Sequence, residues 1–341
     1  MTDWPTAVYH FGPSPCSVGG MASAIDTLVR LELGADVVHA VPTWRPGSKM
    51  RSGALAARAA AGVLRLTPSA IAHVHMSEGG SFVREAAVLA SAKLRGVPRV
   101  VTIHGYRFAA FSSERPRLVA RVLGMADAIT VLTESDGAVV QELAPDVHVE
   151  LLPNPVPLDL GAGPVSETRE VVLFAGEVGR RKGADVLHRA WQSVSASRPM
   201  AICIMVGPAT ELTLLNLGRL EVRGPVSRDC VRNLIREARV VALPSRGEAL
   251  PMILSEAMAA GRPFVSTPAG GVRSLAAGGL LVPVGDDDAL GAALIELLSD
   301  PDRAQALGSA GQSLCERLMA PKVVDIRLRQ LYASLTERSA S

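Results

Sequence analysis

Cysteine is scarce in this chain of 341 residues, which contains only Cys16, Cys203, Cys230 and Cys315. The four are scattered, with neither metal-ligand spacing nor a disulfide framework, which excludes the zinc-finger and disulfide-rich secreted classes. No apolar run reaches the roughly 18 residues that a membrane-spanning helix needs. The N-terminal residues lack the basic region and apolar core of an export signal. We therefore expect a reduced, cytoplasmic protein.

A strong charge of one sign is also missing. The formal net charge is +2 and the pI is near 8.4, values too mild to indicate nucleic acid as the main partner. Apolar residues make up 48% and charged residues 20%, with a mean hydropathy of +0.26, which indicates a globular protein. Most basic residues are arginine, which suits phosphate binding but also fits a coding bias.

Short apolar runs alternate with longer helical stretches along the whole sequence, which predicts βα units on parallel sheets. We predict eleven strands, at Ala7–Phe11, Ala35–Ala40, Ile71–His75, Arg99–Ile103, Ala128–Leu132, His148–Leu152, Val171–Ala175, Ala201–Val206, Val240–Leu243, Phe264–Ser266 and Leu280–Val282. Four prolines between Pro153 and Glu167 indicate a linker. The pattern predicts an α/β protein of two Rossmann-like domains, 1–162 and 163–320, which face each other across a cleft.

The second half is organised around the stretch from Leu243 to Thr267. Its buried strand ends at Leu243, a loop follows, Pro251 stands where a helix begins, and Gly261 ends that helix. Glu256 lies inside the helix among apolar neighbours, where an ionised carboxylate is costly without hydrogen-bond donors. A vicinal diol such as a nucleotide ribose offers two donors, and a distant arginine is the alternative partner.

Glu248 precedes the same helix, in the loop at the carboxyl end of the strand, where open α/β sheets bind ligands. The amides that follow it form a helix N-terminus suited to a phosphate. Alternatively, Glu248 is a first-turn acid that interacts favourably with the helix dipole.

The run from Glu248 to Gly261, EALPMILSEAMAAG, resembles the E-x7-E signature of retaining glycosyltransferases of family 4, and its P-S, L-P and P-F-V flanks fit the same pattern. The resemblance covers nearly the whole chain. It implies a GT-B fold, with residues 321–341 as a helix that crosses back onto the first domain. It also implies metal-independent transfer of a sugar from a nucleoside diphosphate to an acceptor hydroxyl, without a cofactor.

The second domain opens with a glycine- and cation-rich loop from Gly176 to Gly183, GEVGRRKG. Three adjacent cations can neutralise a diphosphate, although solvated loop charges are the alternative. The loop resembles the family element G-R-x(3,4)-K-G, which implies that Lys182 binds the β-phosphate. Because the family arginine is Glu177 here, Arg180 or Arg181 is expected to replace it, and the sequence does not distinguish them.

Two features of the first half resemble the family's N-terminal site. Gly19 and Gly20 precede a helix from Met21, where glycines allow a ligand to approach and free the first amides for an anion. An ordinary flexible turn is the alternative; the pattern is not the G-x-G-x-x-G of nicotinamide enzymes. His104 directly follows a strand and resembles the family histidine that points at the transferred sugar, whereas a buried capping histidine is the other interpretation.

Several weaker signals have ordinary structural explanations as well. His73 and His75 share one strand face and suggest a metal site, but no third ligand is placed nearby, so a satisfied core pair is favoured. The loop Ser77–Ser81 suits either acceptor contact or helix capping. Residues Ser113–Arg121 predict a basic helix for a lipid surface or for solvent. Asp286 begins an acidic triplet that favours helix capping over a metal.

The resemblance implies a division of roles among these residues. Lys182 and a neighbouring arginine stabilise the departing diphosphate, Glu256 holds the ribose diol, Glu248 orients the donor sugar, and His104 contributes from the opposite domain. The expected catalytic residues are His104, Lys182 and Glu248. The expected donor-binding residues are Gly19, Gly20, Gly176, Arg180, Arg181, Lys182, Ala249, Leu250 and Glu256.

The expected partners are a nucleotide-sugar donor and a carbohydrate or lipid-linked acceptor, with room for peripheral membrane contact and no nucleic acid. Two alternatives stay open. One is a GT-B nucleotide-sugar epimerase. The other is a catalytically silent carbohydrate-binding scaffold. It would suit Glu177 in place of the family arginine and Ser274 in place of the usual acid of the family's G-G loop.

Overall fold

A computed structural model describes residues 5–17, 19–31, 33, 35–47, 49–158, 161–212, 214 and 216–340. The chain forms two compact units, residues 1–155 with 321–341, and residues 156–320. We call them unit 1 and unit 2. Each contains a six-stranded sheet in which every pairing is parallel.

The strands are β1 Ala7–Pro13, β2 Val37–Trp44, β3 Ala70–Met76, β4 Arg99–Ile103, β5 Ala128–Val131, β6 His148–Leu151, β7 Val171–Ala175, β8 Ile202–Val206, β9 Leu220–Arg223, β10 Val240–Leu243, β11 Phe264–Ser266 and β12 Gly279–Leu281. The α-helices are α1 Gly20–Leu28, α2 Lys49–Val63, α3 Gly80–Arg95, α4 Phe108–Glu114, α5 Pro116–Leu123, α6 Glu134–Leu143, α7 Ala184–Ser197, α8 Arg228–Glu237, α9 Met252–Ala259, α10 Asp287–Ser299, α11 Pro301–Met319 and α12 Pro321–Ala340. Two 3₁₀ segments cover Val165–Glu167 and Gly270–Gly278.

In unit 1 the strand order is β2-β1-β3-β4-β5-β6. All seven residues of β3 are buried, because helices cover both faces of a parallel sheet. On one face the C-terminal helix α12 packs Leu328 and Tyr332 into a core cluster with Val8 and Ile71. On the other face α3 supplies Phe82 and other apolar residues to the larger cluster.

In unit 2 the strand order is β12-β11-β10-β7-β8-β9. Its central strands β7 and β10 are buried along their whole length. Helix α7 contributes a fully buried Trp191 to the core of this unit.

The structure confirms the eleven predicted strands, with ends that move by a few residues, and adds β9. That strand alternates buried Leu220 with charged Glu221 and Arg223 and lies at the sheet edge, so it lacks the apolar run of a central strand. The single basic helix predicted over Ser113–Arg121 is wrong. The chain divides into α4 and α5 at Arg115, because a proline follows that residue and disfavours helical backbone before it.

None of the helices among the described residues combines the length and the apolar character needed to cross a membrane. The four cysteines are unpaired, as the sequence predicts.

Candidate active site

The strand order of unit 2 places two loops at its topological switch point. The chain moves outward from β7 to β8 and β9 on one side, and from β10 to β11 and β12 on the other. Ligands of open α/β sheets bind at the carboxyl ends of the strands where this reversal occurs. The loop after β7 contains Lys182, and the loop after β10 contains Glu248.

Several contacts hold these two loops together. The backbone N of Arg246 donates to the carbonyl oxygen of Arg181 at 2.8 Å. The Arg246 guanidinium also binds both carboxylate oxygens of Asp185, at 2.8 and 2.9 Å. Gly183 has φ +75°, and a Cβ there would overlap the carbonyl oxygen of Pro244. The close approach of the loops therefore depends on a glycine at this position.

Lys182 and Glu248 form an ion pair within this junction. The Lys182 Nζ lies 2.6 Å from Glu248 Oε1, and the two side chains are 15% and 6% exposed. Ser245 Oγ donates to the same carboxylate oxygen at 2.7 Å. Ser245 is the serine of the P-S pair just after the strand, three residues before Glu248, and this spacing was its signal in the sequence. The pair brings one cation and one acid to the carboxyl edge of the sheet.

The two candidate arginines have different surroundings. Arg181 Nη2 lies 3.2 Å from Glu177 Oε2, and its Nη1 donates to the carbonyl oxygen of Gly247 at 3.4 Å. Arg180 is exposed, and its backbone N donates to Glu211 Oε1 at 2.5 Å. Arg181 is thus the guanidinium held beside Glu177, the position of the family arginine.

Glu256 lies on α9, which begins after Pro251 and ends before Gly261 as the sequence predicts. Its helix neighbours are buried, while Glu256 itself is half-buried. Among the described residues no hydrogen bond or ion pair involves its carboxylate. Burial raises the pKa of Glu256 to about 7, and Arg232 and Arg228 of α8 partly oppose the rise. The carboxylate is therefore not fixed to a structural arginine.

Unit 1 has its own switch point, between β1 and β3. Gly19 is the N-cap of α1 in the segment after β1, and Gly20 is the first residue of that helix. His104 follows β4, and its backbone N donates to the carbonyl oxygen of Met76 at 2.7 Å. A Cβ at the next residue, Gly105, would overlap the Glu78 carboxylate, so the glycine there admits this acid.

The expectation that His73 and His75 have no third partner nearby is wrong. His10 of β1 is paired in register with His73 of β3, and all three rings have a nitrogen within 4.8 Å of the others. Burial lowers the pKa of His10 and of His104 to about 3 and that of His73 and His75 well below the usual value. The four rings are therefore neutral. No local pattern in the sequence indicated His10, because the pairing of the first strand with the third is set by the strand order of unit 1.

Two of the weaker signals have structural explanations. Asp286 caps α10 by accepting from the backbone N of Ala289 at 2.8 Å, which confirms the capping interpretation. The Ser81 hydroxyl accepts from the backbone N of Ser77 at 3.2 Å and so closes the loop before α3.

The structure thus places the candidates in two groups. Lys182, Glu248, Arg181 and Glu256 belong to unit 2, and the first two are in direct contact. His104, Gly19 and Gly20 belong to unit 1.

Family models match both halves of the chain. One described as "Glycosyltransferase Family 4" matches residues 18–160, and one described as "Glycosyl transferases group 1" matches residues 169–300. Matched together over most of the chain, the two models support a GT-B glycosyltransferase related to family 4. The GT-B fold is further supported by sucrose-phosphate synthase from Thermosynechococcus elongatus, a similar structure with a TM-score of 0.79 and 19% identity, covering 98% of this chain and all of that one.

Two curated relatives show where this GT-B chain is similar in sequence. A GDP-mannose-dependent monoacylated alpha-(1-6)-phosphatidylinositol monomannoside mannosyltransferase from Corynebacterium glutamicum is 32% identical over 190 residues, 50% of this chain and 48% of the relative. A D-inositol 3-phosphate glycosyltransferase from Xylanimonas cellulosilytica is 28% identical over 242 residues, 65% of this chain and 57% of the relative. The chain therefore spans about half the length of these relatives.

Proposed function

We propose that the protein is a retaining glycosyltransferase that moves a sugar from a nucleoside-diphosphate sugar to an acceptor hydroxyl. The observation that carries the proposal is the half-buried Glu256 carboxylate, which has no donor among the described residues, on the helix just after the loop that holds the Lys182–Glu248 pair. A carboxylate in that position suits a vicinal diol, because each hydroxyl can donate to one oxygen.

The diphosphate would bind beside Lys182 and Arg181. The ammonium and the guanidinium supply two positive charges within one turn of chain, at the carboxyl edge where α/β sheets bind ligands. Helix α9 adds its N-terminal amides, since Pro251 at the N-cap has no side-chain oxygen to bind them. These groups would stabilise the charge that develops on the departing phosphate.

The positions of the nucleotide ribose and of the transferred sugar would follow from the position of the bound diphosphate. Glu256 accepts hydrogen bonds from the ribose diol, with the backbone of Ala249 and Leu250 beside the phosphates. Glu248 shares its carboxylate between Lys182 and the hydroxyls of the transferred sugar. Gly176 leaves space next to Lys182. The family resemblance assigns Gly19, Gly20 and His104 to the donor as well.

The transfer step needs no added general base. The bond from the anomeric carbon to the phosphate oxygen breaks, and the acceptor oxygen forms a bond to that carbon on the same face. The acceptor's proton passes to the departing diphosphate oxygen. Neither a metal nor a cofactor is assigned to this step.

The names of two relatives specify an inositol phosphate and a phosphatidylinositol monomannoside, and they support an acceptor class for this proposal. We propose a polyhydroxylated acceptor, either free or lipid-linked, which a peripheral protein can reach at the inner membrane face. Cytoplasmic nucleotide sugars would supply the donor.

A donor screen tests the function. The protein is mixed with UDP-, GDP- and ADP-sugars in the presence of EDTA, and thermal shift identifies the donor that binds. Diphosphate release is then followed with and without inositol phosphate or simple glycosides. Release that depends on the acceptor supports the transferase, release of free nucleotide without acceptor indicates the epimerase, and binding without turnover indicates the silent scaffold.

A further inference from the structure

We infer that His10 and His75 are positioning residues that fix His104 as a neutral hydrogen-bond donor toward the substrate. The three side chains come from β1, β3 and β4, which are neighbours in the sheet of unit 1. The use of His104 in catalysis rests on the proposed function, whereas the hydrogen-bonded chain behind it does not.

The chain consists of two imidazole–imidazole hydrogen bonds. His10 Nδ1 lies 2.9 Å from His75 Nε2, and His75 Nδ1 lies 2.9 Å from His104 Nε2. His10 and His75 are completely buried, and His104 at the end of the chain is partly exposed. The hydrogen-bonded histidines therefore extend from the core of the sheet to its carboxyl edge.

Each neutral imidazole has one donor nitrogen and one acceptor nitrogen, so the hydrogen bonds must all point the same way. The buried end decides the direction. His10 Nε2 is enclosed and has no partner among the described residues. A buried N–H without an acceptor is rarer in proteins than an acceptor without a donor. The unpartnered Nε2 of His10 is therefore the acceptor nitrogen, and the proton is on Nδ1.

The other two tautomers follow from that assignment. His10 Nδ1–H donates to His75 Nε2, which leaves the His75 proton on Nδ1. His75 Nδ1–H then donates to His104 Nε2, which leaves the His104 proton on Nδ1. The lone pair of His104 is occupied by His75, and its free N–H is available to an oxygen of the sugar or the phosphate. In this state His104 donates a hydrogen bond and does not accept the acceptor's proton.

A second network holds the middle ring of the chain in place. His73 stacks on His75 with ring centroids 4.5 Å apart and planes at 17°. His73 Nδ1 and Nε2 lie 2.6 Å from the Tyr332 hydroxyl and the Thr102 hydroxyl. Because both of its nitrogens are hydrogen-bonded, the His73 ring is fixed in place where it stacks on His75.

The same distances argue against a metal among His10, His73 and His75. Two imidazole nitrogens on a tetrahedral zinc ion at about 2.1 Å lie roughly 3.4 Å apart. The spacing of 2.9 Å between His10 and His75 is that of a hydrogen bond. A metal would also have to displace the Tyr332 or Thr102 hydroxyl from His73.

Nitrogen NMR on the unaltered protein tests the tautomers of these histidines without any assay of activity. With ¹⁵N-labelled histidine, two-bond correlations report which ring nitrogen carries the proton. We expect the Nδ1–H tautomer at His10, His75 and His104. A proton on Nε2 of His104, an imidazolium at any of the three, or a joint shift of His10, His73 and His75 on addition of zinc alone would overturn the inference.

A matched pair of variants tests the effect on transfer. In His75→Asn the side-chain amide takes the place of Nδ1 and keeps the hydrogen bond to His104. In His75→Gln the side-chain amide takes the place of Nε2 and keeps the hydrogen bond to His10. Each variant loses one hydrogen bond, so their unfolding midpoints should be similar. We expect kcat of His75→Gln to be about 10-fold below that of His75→Asn, with similar donor KM.

Equal kcat values for two folded variants would overturn the positioning role. If neither variant folds, the tautomers in the unaltered protein decide. If no donor supports turnover, the proposed function fails while the NMR result on the chain still stands.

Discussion

The carboxyl edges of the two sheets use opposite chemistry. In unit 2 the edge is ionic, with Lys182 on Glu248 and Arg181 on Glu177. In unit 1 the histidines at the edge are neutral, because burial keeps the pKa of His104 and of the histidines behind it far below the usual value. Two parallel six-stranded sheets therefore present ion pairs on one unit and neutral, hydrogen-bonded rings on the other.

Under the proposed function, the ionic edge suits a diphosphate and the neutral histidines suit a sugar. A diphosphate gains charge as it departs, and ionised groups can stabilise that gain. A sugar is neutral and is distinguished by the positions and directions of its hydroxyls, which suits uncharged donors and acceptors. Substitutions that affect one edge and leave the other unchanged are the way to test the division.

Replacing Lys182 should have the largest effect. Lys182→Ala removes the only ammonium of this junction, and we expect transfer to slow by about 10²–10³-fold, the usual cost of losing one group that stabilises developing charge. Steady-state release of the diphosphate measures it. The control is Lys182→Gln, which keeps a donor for Glu248 without the charge. Turnover of Lys182→Ala within a few-fold of the parent would remove Lys182 from the mechanism.

Replacing Glu256 should affect nucleotide binding rather than the chemical step. The pKa of Glu256 is raised to about 7, so its carboxylate is ionised mainly above pH 7 and protonated below. Donor affinity should therefore rise between pH 6 and pH 8 as the second acceptor oxygen becomes available. Glu256→Gln should weaken binding by roughly 10-fold at pH 8 and lose that part of the pH dependence.

Calorimetry at both pH values gives the comparison. A bound diphosphate also titrates near neutral pH, and the difference between parent and Glu256→Gln removes its contribution. The same slope in both proteins would mean that Glu256 does not contact the nucleotide.

The sequence predicted the βα order and the helix around Glu256 because both depend on local pattern. Apolar runs define central strands, and Pro251 and Gly261 define the helix ends. The edge strand β9 was missed because Glu221 and Arg223 leave it no apolar run. Pro116 marked the break at Arg115, whereas the charge pattern around it favoured a single basic helix.

Contacts between distant segments could not be predicted from local pattern. His10 and His75 are 65 residues apart in sequence and meet only through the pairing of β1 with β3. The fully buried Glu85 on α3 gave no sequence signal. Its carboxylate accepts from the Thr43 hydroxyl at 2.6 Å, and burial raises its pKa to about 7. Both cases require the sheet order before the residues can be matched.

Removing one hydroxyl from the neutral network should affect stability without affecting the ionic edge. Tyr332→Phe leaves His73 Nδ1 buried without its partner, and we expect a loss of about 1–3 kcal/mol in the free energy of unfolding. Tyr9→Phe is the matched control, since no hydrogen bond of the Tyr9 hydroxyl occurs among the described residues. Urea unfolding measures both. A changed donor affinity in Tyr332→Phe would contradict the separation of the two edges.

The smallest effect should distinguish the two arginines of the cation loop. Arg181 is held by Glu177 and the Gly247 carbonyl, whereas Arg180 points its side chain to solvent. In 0.1 M salt we expect Arg181→Ala to weaken binding of the nucleoside diphosphate by about 5-fold and Arg180→Ala by less than about 2-fold, because the charge of an exposed side chain is screened beyond about 10 Å at that salt concentration.

Glu177→Gln sharpens that assignment. It removes the negative partner of Arg181 and frees the guanidinium's charge for the phosphate, so nucleoside-diphosphate affinity should rise modestly, and the rise should vanish in the double variant Glu177→Gln/Arg181→Ala. If the rise instead disappears when Arg180 is removed, then Arg180 is the group that replaces the family arginine. Raising the salt concentration should shrink every one of these differences, since they all arise from charges at the edge of unit 2. The neutral histidines of unit 1 should show no such dependence.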